Sequence, residues 1–104
     1  MKKFKWKLDF SFLPDERRPT DEVRWFEEAI IGALMTRYKE GVPLSIQRTI
    51  FNIMNKVEKS ENEIIELEEA EFDLIKESFL NGKFNPAGYK ISVQIEKNIE
   101  QAMI

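Results

Sequence analysis

The N-terminal segment places the strongest constraint on how this 104-residue chain can fold. In the run KFKWKLDFSF, residues 3–12, every second side chain is large and apolar, namely Phe4, Trp6, Leu8, Phe10 and Phe12. Because neighbouring side chains of a β-strand point to opposite faces, this alternation predicts a strand with one apolar face. A strand needs hydrogen-bond partners, so the chain must supply a further strand and a layer that covers the apolar face.

Two helices are predicted to follow a connector that contains Pro14 and Pro19. Apolar residues recur at steps of three and four over residues 21–40, and again over residues 45–58, which places them on one helix face in each segment. Gly41 and Pro43 separate the segments, since glycine favours the residue after a helix and proline cannot continue one. The short join predicts an antiparallel pair, an αα-hairpin.

The second half of the chain predicts a short strand, a third helix and a C-terminal segment with two alternatives. Tyr89, Ile91, Val93 and Ile95 alternate with polar residues, which favours a strand that turns into a short helix. A single helical stripe through Ile91, Ile95, Ile99 and Met103 is the alternative. We expect the strand, because the N-terminal strand needs partners.

These elements together predict a single α+β domain over residues 1–104. Its small sheet has two or three strands, at about residues 3–12, 63–67 and 89–95. The sheet packs against the αα-hairpin, at about residues 21–40 and 45–58, against a third helix at about residues 68–81, and against the short C-terminal helix.

The composition argues against most enzyme chemistry. The chain has no cysteine and no histidine, which excludes disulfides, the usual zinc ligands and every triad that contains histidine. We therefore expect no catalytic residue, no cofactor and no metal. No apolar stretch is long enough to span a bilayer or to form a signal peptide, so we expect a cytoplasmic protein without membrane contact. Frequent lysine, isoleucine, glutamate and asparagine are typical of AT-rich bacterial and phage genomes, and a phage-encoded protein would act in the bacterial host cell.

An uneven distribution of charge is the clearest hint of function. Residues 58–80 hold nine carboxylates and two lysines, a net charge of −7, in a chain whose total is −3. Such a block is either a solvated face or a surface that docks on a basic partner. Trp25 lies one position off the first helix stripe, which favours a place at the edge of the core; if exposed, it is a typical interface anchor. Met35, Phe51 and Met54 have the same two alternatives. The candidate partner-binding residues are Glu63, Glu66, Glu68, Glu69, Asp73 and Trp25.

The leading hypothesis is a non-enzymatic protein-interaction module that docks on a larger protein with a basic surface, as an inhibitor, adaptor or assembly factor. One alternative is a nucleic-acid-binding regulator that uses Lys3, Lys5, Lys7 and Arg48, although the negative net charge opposes binding to phosphates. A second alternative is self-assembly through the N-terminal edge strand. The oligomeric state stays open, with a homodimer among the alternatives.

Overall fold

The computed structural model describes residues 1–80 and 88–103. In these ranges its main elements are a short antiparallel sheet and four α-helices. The strands are β1 (Lys2–Lys5) and β2 (Ile64–Leu67), and the helices are α1 (Glu22–Arg37), α2 (Leu44–Lys59), α3 (Glu69–Leu80) and α4 (Tyr89–Ala102). A single turn of 3₁₀-helix, Asp15–Arg17, lies in the connector before α1. The α+β class is confirmed. The predicted last residue of the third helix, residue 81, lies outside the described residues.

The N-terminal segment forms a strand that is shorter than its alternating pattern. Strand β1 pairs with β2, with Phe4 opposite Ile65, and the ladder ends at Lys5 instead of running to residue 12. Beyond the ladder, the N–H of Trp6 still donates to the carbonyl oxygen of Glu63 at 3.1 Å. The alternation nevertheless continues, because the apolar side chains are buried through Phe10 while the intervening polar ones stay exposed. The predicted apolar face is therefore confirmed as far as residue 10.

The expected third strand at residues 89–95 is wrong, because this segment belongs to helix α4. Ile91, Ile95 and Ile99 are buried along one helical stripe, whereas Val93 is 59% exposed. A helix thus buries the three isoleucines together and leaves Val93 in solvent. Its Gln94 side chain accepts a hydrogen bond from the N–H of Asp9 at 2.7 Å and donates one to the carbonyl oxygen of Asp9 at 2.8 Å. A side chain of a helix therefore supplies hydrogen bonds to the backbone of Asp9 that a third strand would have supplied with its own backbone.

The αα-hairpin forms where the sequence predicts it. Helix α1 begins after Asp21, whose side chain accepts a hydrogen bond from the N–H of Arg24 at 3.0 Å, as expected of an N-cap. The loop to α2 contains Gly41 at a φ of +121°, in the left-handed region that favours glycine. Pro43 then precedes the first residue of α2. The hairpin therefore follows from local sequence signals.

One cluster of buried side chains joins the sheet and all four helices. At its centre the ring of Phe4 lies 6.3 Å from that of Phe26 and 6.5 Å from that of Phe72, and Phe26 lies 6.0 Å from Phe79. Phenylalanines from β1, α1 and α3 therefore meet in the core. Burial of large aromatic rings is a major source of stability in a chain of this size.

Candidate interaction surfaces

Four of the six predicted partner-binding residues lie on one continuous stretch of chain. Glu66 is on β2, Glu68 follows that strand, Glu69 is the first residue of α3, and Asp73 lies one helical turn further on. All four side chains are exposed, and none forms an ion pair with another described residue. We call these four residues the acidic ridge. Residues four apart on a helix share a face, so Glu69 and Asp73 continue the ridge along α3.

The structure sorts the other carboxylates of the acidic block by their contacts. Glu63, a predicted partner-binding residue, lies 3.6 Å from the Nζ atom of Lys5. Glu77 binds Arg37 at 2.5 Å, and the hydrogen bond and charge of Glu77 raise the pKa of Arg37 above its ordinary value. These carboxylates contact basic residues of the same chain. They are therefore less available to a partner than the acidic ridge is.

Glu71 has a structural role that the sequence reasoning missed. This residue is buried, and its Oε1 atom accepts hydrogen bonds from Lys56 Nζ at 2.5 Å and from the N–H of Glu68 at 2.8 Å. A glutamate at the third position of a helix that binds the N–H of the residue before the helix is half of a capping box. The position of Glu71 after β2 was the signal that could have identified it. Glu71 ties α2 to the first turn of α3, directly beneath the acidic ridge.

Trp25 lies apart from the acidic ridge. It is on α1 and half-buried, and its ring packs edge-on against that of Phe10 with 5.2 Å between the centroids. It lines neither the groove between α2 and β2 nor the groove beside Lys2 and Lys3, which both border the acidic ridge. Trp25 therefore packs on the edge of the core.

Basic residues border the acidic ridge on two sides. A groove between α2 and β2 is lined by Glu66 and Glu68 together with Lys56 and Lys59. A second groove is lined by Glu68 and Glu69 together with Lys2 and Lys3, among other residues. The surface is therefore a band of carboxylates with lysines along its margins.

The candidate nucleic-acid residues do not form an isolated basic track. Lys5 lies near Glu63, Lys7 lies 3.7 Å from Glu22, and Lys3 is opposite Glu66 in the ladder. Arg48 is on α2, which does not pack against β1. Each lysine of the row thus has a carboxylate beside it, which weakens its attraction for phosphates.

An apolar groove between α1 and α2 is the second surface of interest. Its volume is about 660 Å³. Two of the three interface candidates predicted with Trp25 are exposed on it, since Met35 is 64% exposed and Phe51 is 65% exposed. Ile31 is also exposed there, whereas Met54 is buried and forms part of the floor. Periodicity predicted the buried stripe of each helix. It could not predict that the apolar residues beside the stripe would line a shared groove.

Comparisons with protein-family models, with curated proteins and with solved structures found nothing that matches this chain. Over residues 1–80 and 88–103, no group of three or more aspartate or glutamate side chains is arranged to hold a metal ion. Within the same ranges, no helix has the length and apolar character needed to cross a bilayer.

Proposed function

We propose that the protein is a non-enzymatic interaction module that docks through the acidic ridge on a basic surface of a larger protein, as an inhibitor, adaptor or assembly factor. The observation that supports this most directly is the contrast within residues 58–80. Glu63, Glu71 and Glu77 contact basic groups of the chain itself, whereas the four carboxylates of the acidic ridge are exposed and have no ion-pair partner among the described residues. Glu58 and Glu61 are also exposed and without such a partner, but they precede β2 and lie outside the ridge.

The backbone beneath the acidic ridge is well anchored. Three neighbours of the ridge residues in the sequence are buried in the core: Leu67, Phe72 and Ile75. Glu71 and Lys56 add a link to α2. The backbone that carries the carboxylates is therefore held in place, which lowers the backbone entropy that would be lost when a partner binds.

Concentrated like charge is costly within one domain and useful for association. Carboxylates that repel one another weaken the folded state, and the same solubility could be reached with dispersed charge. A concentrated ridge instead attracts a basic surface from a distance and raises the rate of encounter. The lysines along its margins favour a partner whose basic centre has acidic residues beside it.

The test is association kinetics with a partner isolated from the native host and identified by mass spectrometry. The variant E68K/E69K/D73K reverses three ridge charges. We expect its association rate at low salt to fall by about tenfold or more, because electrostatic steering contributes factors of that size. Its dissociation rate should change much less, since charges that stay in contact with solvent act mainly on encounter.

The matched control is E16K/E40K/E100K, which changes the net charge equally with three carboxylates that are exposed and lie outside the ridge. None of these three forms an ion pair with a described residue. The control should retain more of the association rate than the ridge variant. Equal losses in both would show that only net charge matters, and a ridge variant within about twofold of the wild type would refute docking through this surface.

A further inference from the structure

The groove between α1 and α2 continues the core outward to the surface. Its floor includes Leu34 and Met54, both buried, and its walls include Ile31, Met35 and Phe51, all exposed. The exposed Phe51 and Met35, directly above the core, lack the favourable burial that a further layer would provide. The hairpin is therefore an incomplete helical layer on this side.

The charged residues of the groove are separated by sign along its length. Three charged side chains line it, and none of them forms an ion pair with a described residue. Lys39 follows the end of α1, at the loop of the hairpin, whereas Glu27 lies near the start of α1 and Glu58 near the end of α2. Because the helices are antiparallel, both glutamates lie at the opposite end of the groove from Lys39. The groove is thus basic at one end, apolar at its centre and acidic at the other end.

This arrangement is complementary to itself when it is reversed. Consider a two-fold axis that lies in the plane of the interface and crosses the centre of the groove at right angles to its length. This axis would bring Lys39 of each copy to Glu27 and Glu58 of the other. The same axis would bring the exposed apolar residues of both copies together. Interfaces in two-fold dimers use one surface patch twice, so they require this kind of self-complementarity.

We infer that the groove binds a second copy of this chain, so that two αα-hairpins pack face to face into a four-helix bundle at the centre of a dimer. The opposite charges at the two ends of the groove favour a second copy over an unrelated apolar segment, because an apolar segment would not be complementary to either charged end. The inference does not involve the acidic ridge. Its outcome is therefore independent of the proposed function.

The first experiment measures the solution mass of the full chain by sedimentation over a range of protein concentrations. We expect a dimer at tens of micromolar and a monomer on dilution. Phe51→Glu should be monomeric throughout, because it places a charge at the apolar centre of the interface. Circular dichroism and thermal melting should show that this variant remains folded, since Phe51 is 65% exposed in the monomer.

The matched control is Val93→Glu, which changes another exposed apolar residue, 59% exposed on α4. This variant should dimerise as the wild type does. A wild type that is monomeric at every concentration would overturn the inference. So would a Phe51→Glu variant that dimerises normally, or a control that loses the dimer to the same extent.

A mixing experiment tests the antiparallel arrangement itself. Lys39→Glu alone should raise the dissociation constant of the dimer by about tenfold or more, because like charges then meet at both ends. The variant E27K/E58K should weaken it for the same reason. When the two variants are mixed, a heterodimer has opposite charges at both ends. At one end the new glutamate at position 39 meets the two new lysines, and at the other end the native Lys39 meets the native Glu27 and Glu58. The heterodimer should therefore form with near wild-type affinity. A mixture that remains monomeric would overturn the inference.

Discussion

At the scale of single residues, Trp6 combines two opposing contributions to stability. The side chain is 8% exposed, and its ring packs edge-on against that of Phe26 at 6.3 Å. Its Nε1–H, however, is buried and finds no acceptor among the described residues. Burial of the ring stabilises the fold, whereas an unpaired buried donor costs free energy.

We therefore predict different effects for two substitutions at this position. Trp6→Ala should lower the free energy of unfolding by about 3–5 kcal/mol, as large-to-small changes in a core do. Trp6→Phe should be clearly less destabilising, because it keeps an aromatic ring and removes a donor whose burial without a partner costs about 1–3 kcal/mol.

Urea denaturation followed by circular dichroism measures both values. A change of less than about 0.5 kcal/mol for Trp6→Ala would mean that the apolar face of the N-terminal segment is not part of the core. A cost of Trp6→Phe equal to that of Trp6→Ala would contradict the prediction that loss of the unpaired Nε1–H offsets part of the lost packing.

At the scale of elements, Glu71 connects two helices and one strand end. It receives hydrogen bonds from α2 through Lys56 and from the backbone at the end of β2 through Glu68. We predict that Glu71→Ala lowers the free energy of unfolding by about 1.5–3 kcal/mol, the usual range for hydrogen bonds to a charged group. Lys56 is one-third exposed and can turn to solvent, which keeps the loss within this range.

Glu69→Ala is the control for Glu71→Ala, since Glu69 is exposed on the same turn of α3. It should change the free energy of unfolding by no more than about 0.5 kcal/mol. Urea midpoints of both variants and the wild type are the measurement. Similar losses in the two variants would show that Glu71 acts only as another first-turn carboxylate.

Helix α4 shows why one element was predicted wrongly. Residues four apart share a face in a strand and also in a helix, so Ile91 and Ile95 fit both periods. Tyr89 and Val93 would share the buried face of a strand, and their exposure, 60% and 59%, separates the two alternatives. The αα-hairpin was predictable because its stripes are long and have Gly41 and Pro43 between them.

The acidic block shows why the candidate site was only partly predictable. Its nine carboxylates look alike in the sequence, and their partners are distant along the chain. Arg37 lies 40 residues from Glu77, and Lys56 lies 15 residues from Glu71. Apart from the local contact of Glu71 with the N–H of Glu68, tertiary packing determines which carboxylates are paired and which remain exposed.

At the scale of the whole molecule, the two surfaces belong to different elements. The acidic ridge lies on β2 and α3, whereas the apolar groove lies between α1 and α2. A dimer formed through the groove would therefore present two acidic ridges at once. Such a dimer would bind a partner with two basic sites more tightly than a monomer would, because the second contact becomes intramolecular.

The overall charge gives a prediction about nucleic acids. The net charge is −3, and carboxylates lie beside the lysines of β1, so we expect no salt-sensitive binding to mixed DNA and RNA near physiological ionic strength. Electrophoretic mobility shifts at several salt concentrations measure this. Submicromolar binding that collapses between low and moderate salt, and that is lost in K3E/K5E/K7E, would instead support the nucleic-acid-binding alternative.

The hydrogen bonds between Gln94 and Asp9 have a consequence for biosynthesis. They join positions 85 residues apart, and α4 packs along the segment that begins with β1. During translation, the N-terminal segment leaves the ribosome long before α4 has been made. The N–H and the carbonyl group of Asp9 therefore lack these partners until α4 has been made, and the part of the apolar face that α4 covers is exposed to aggregation or chaperone binding until α4 docks.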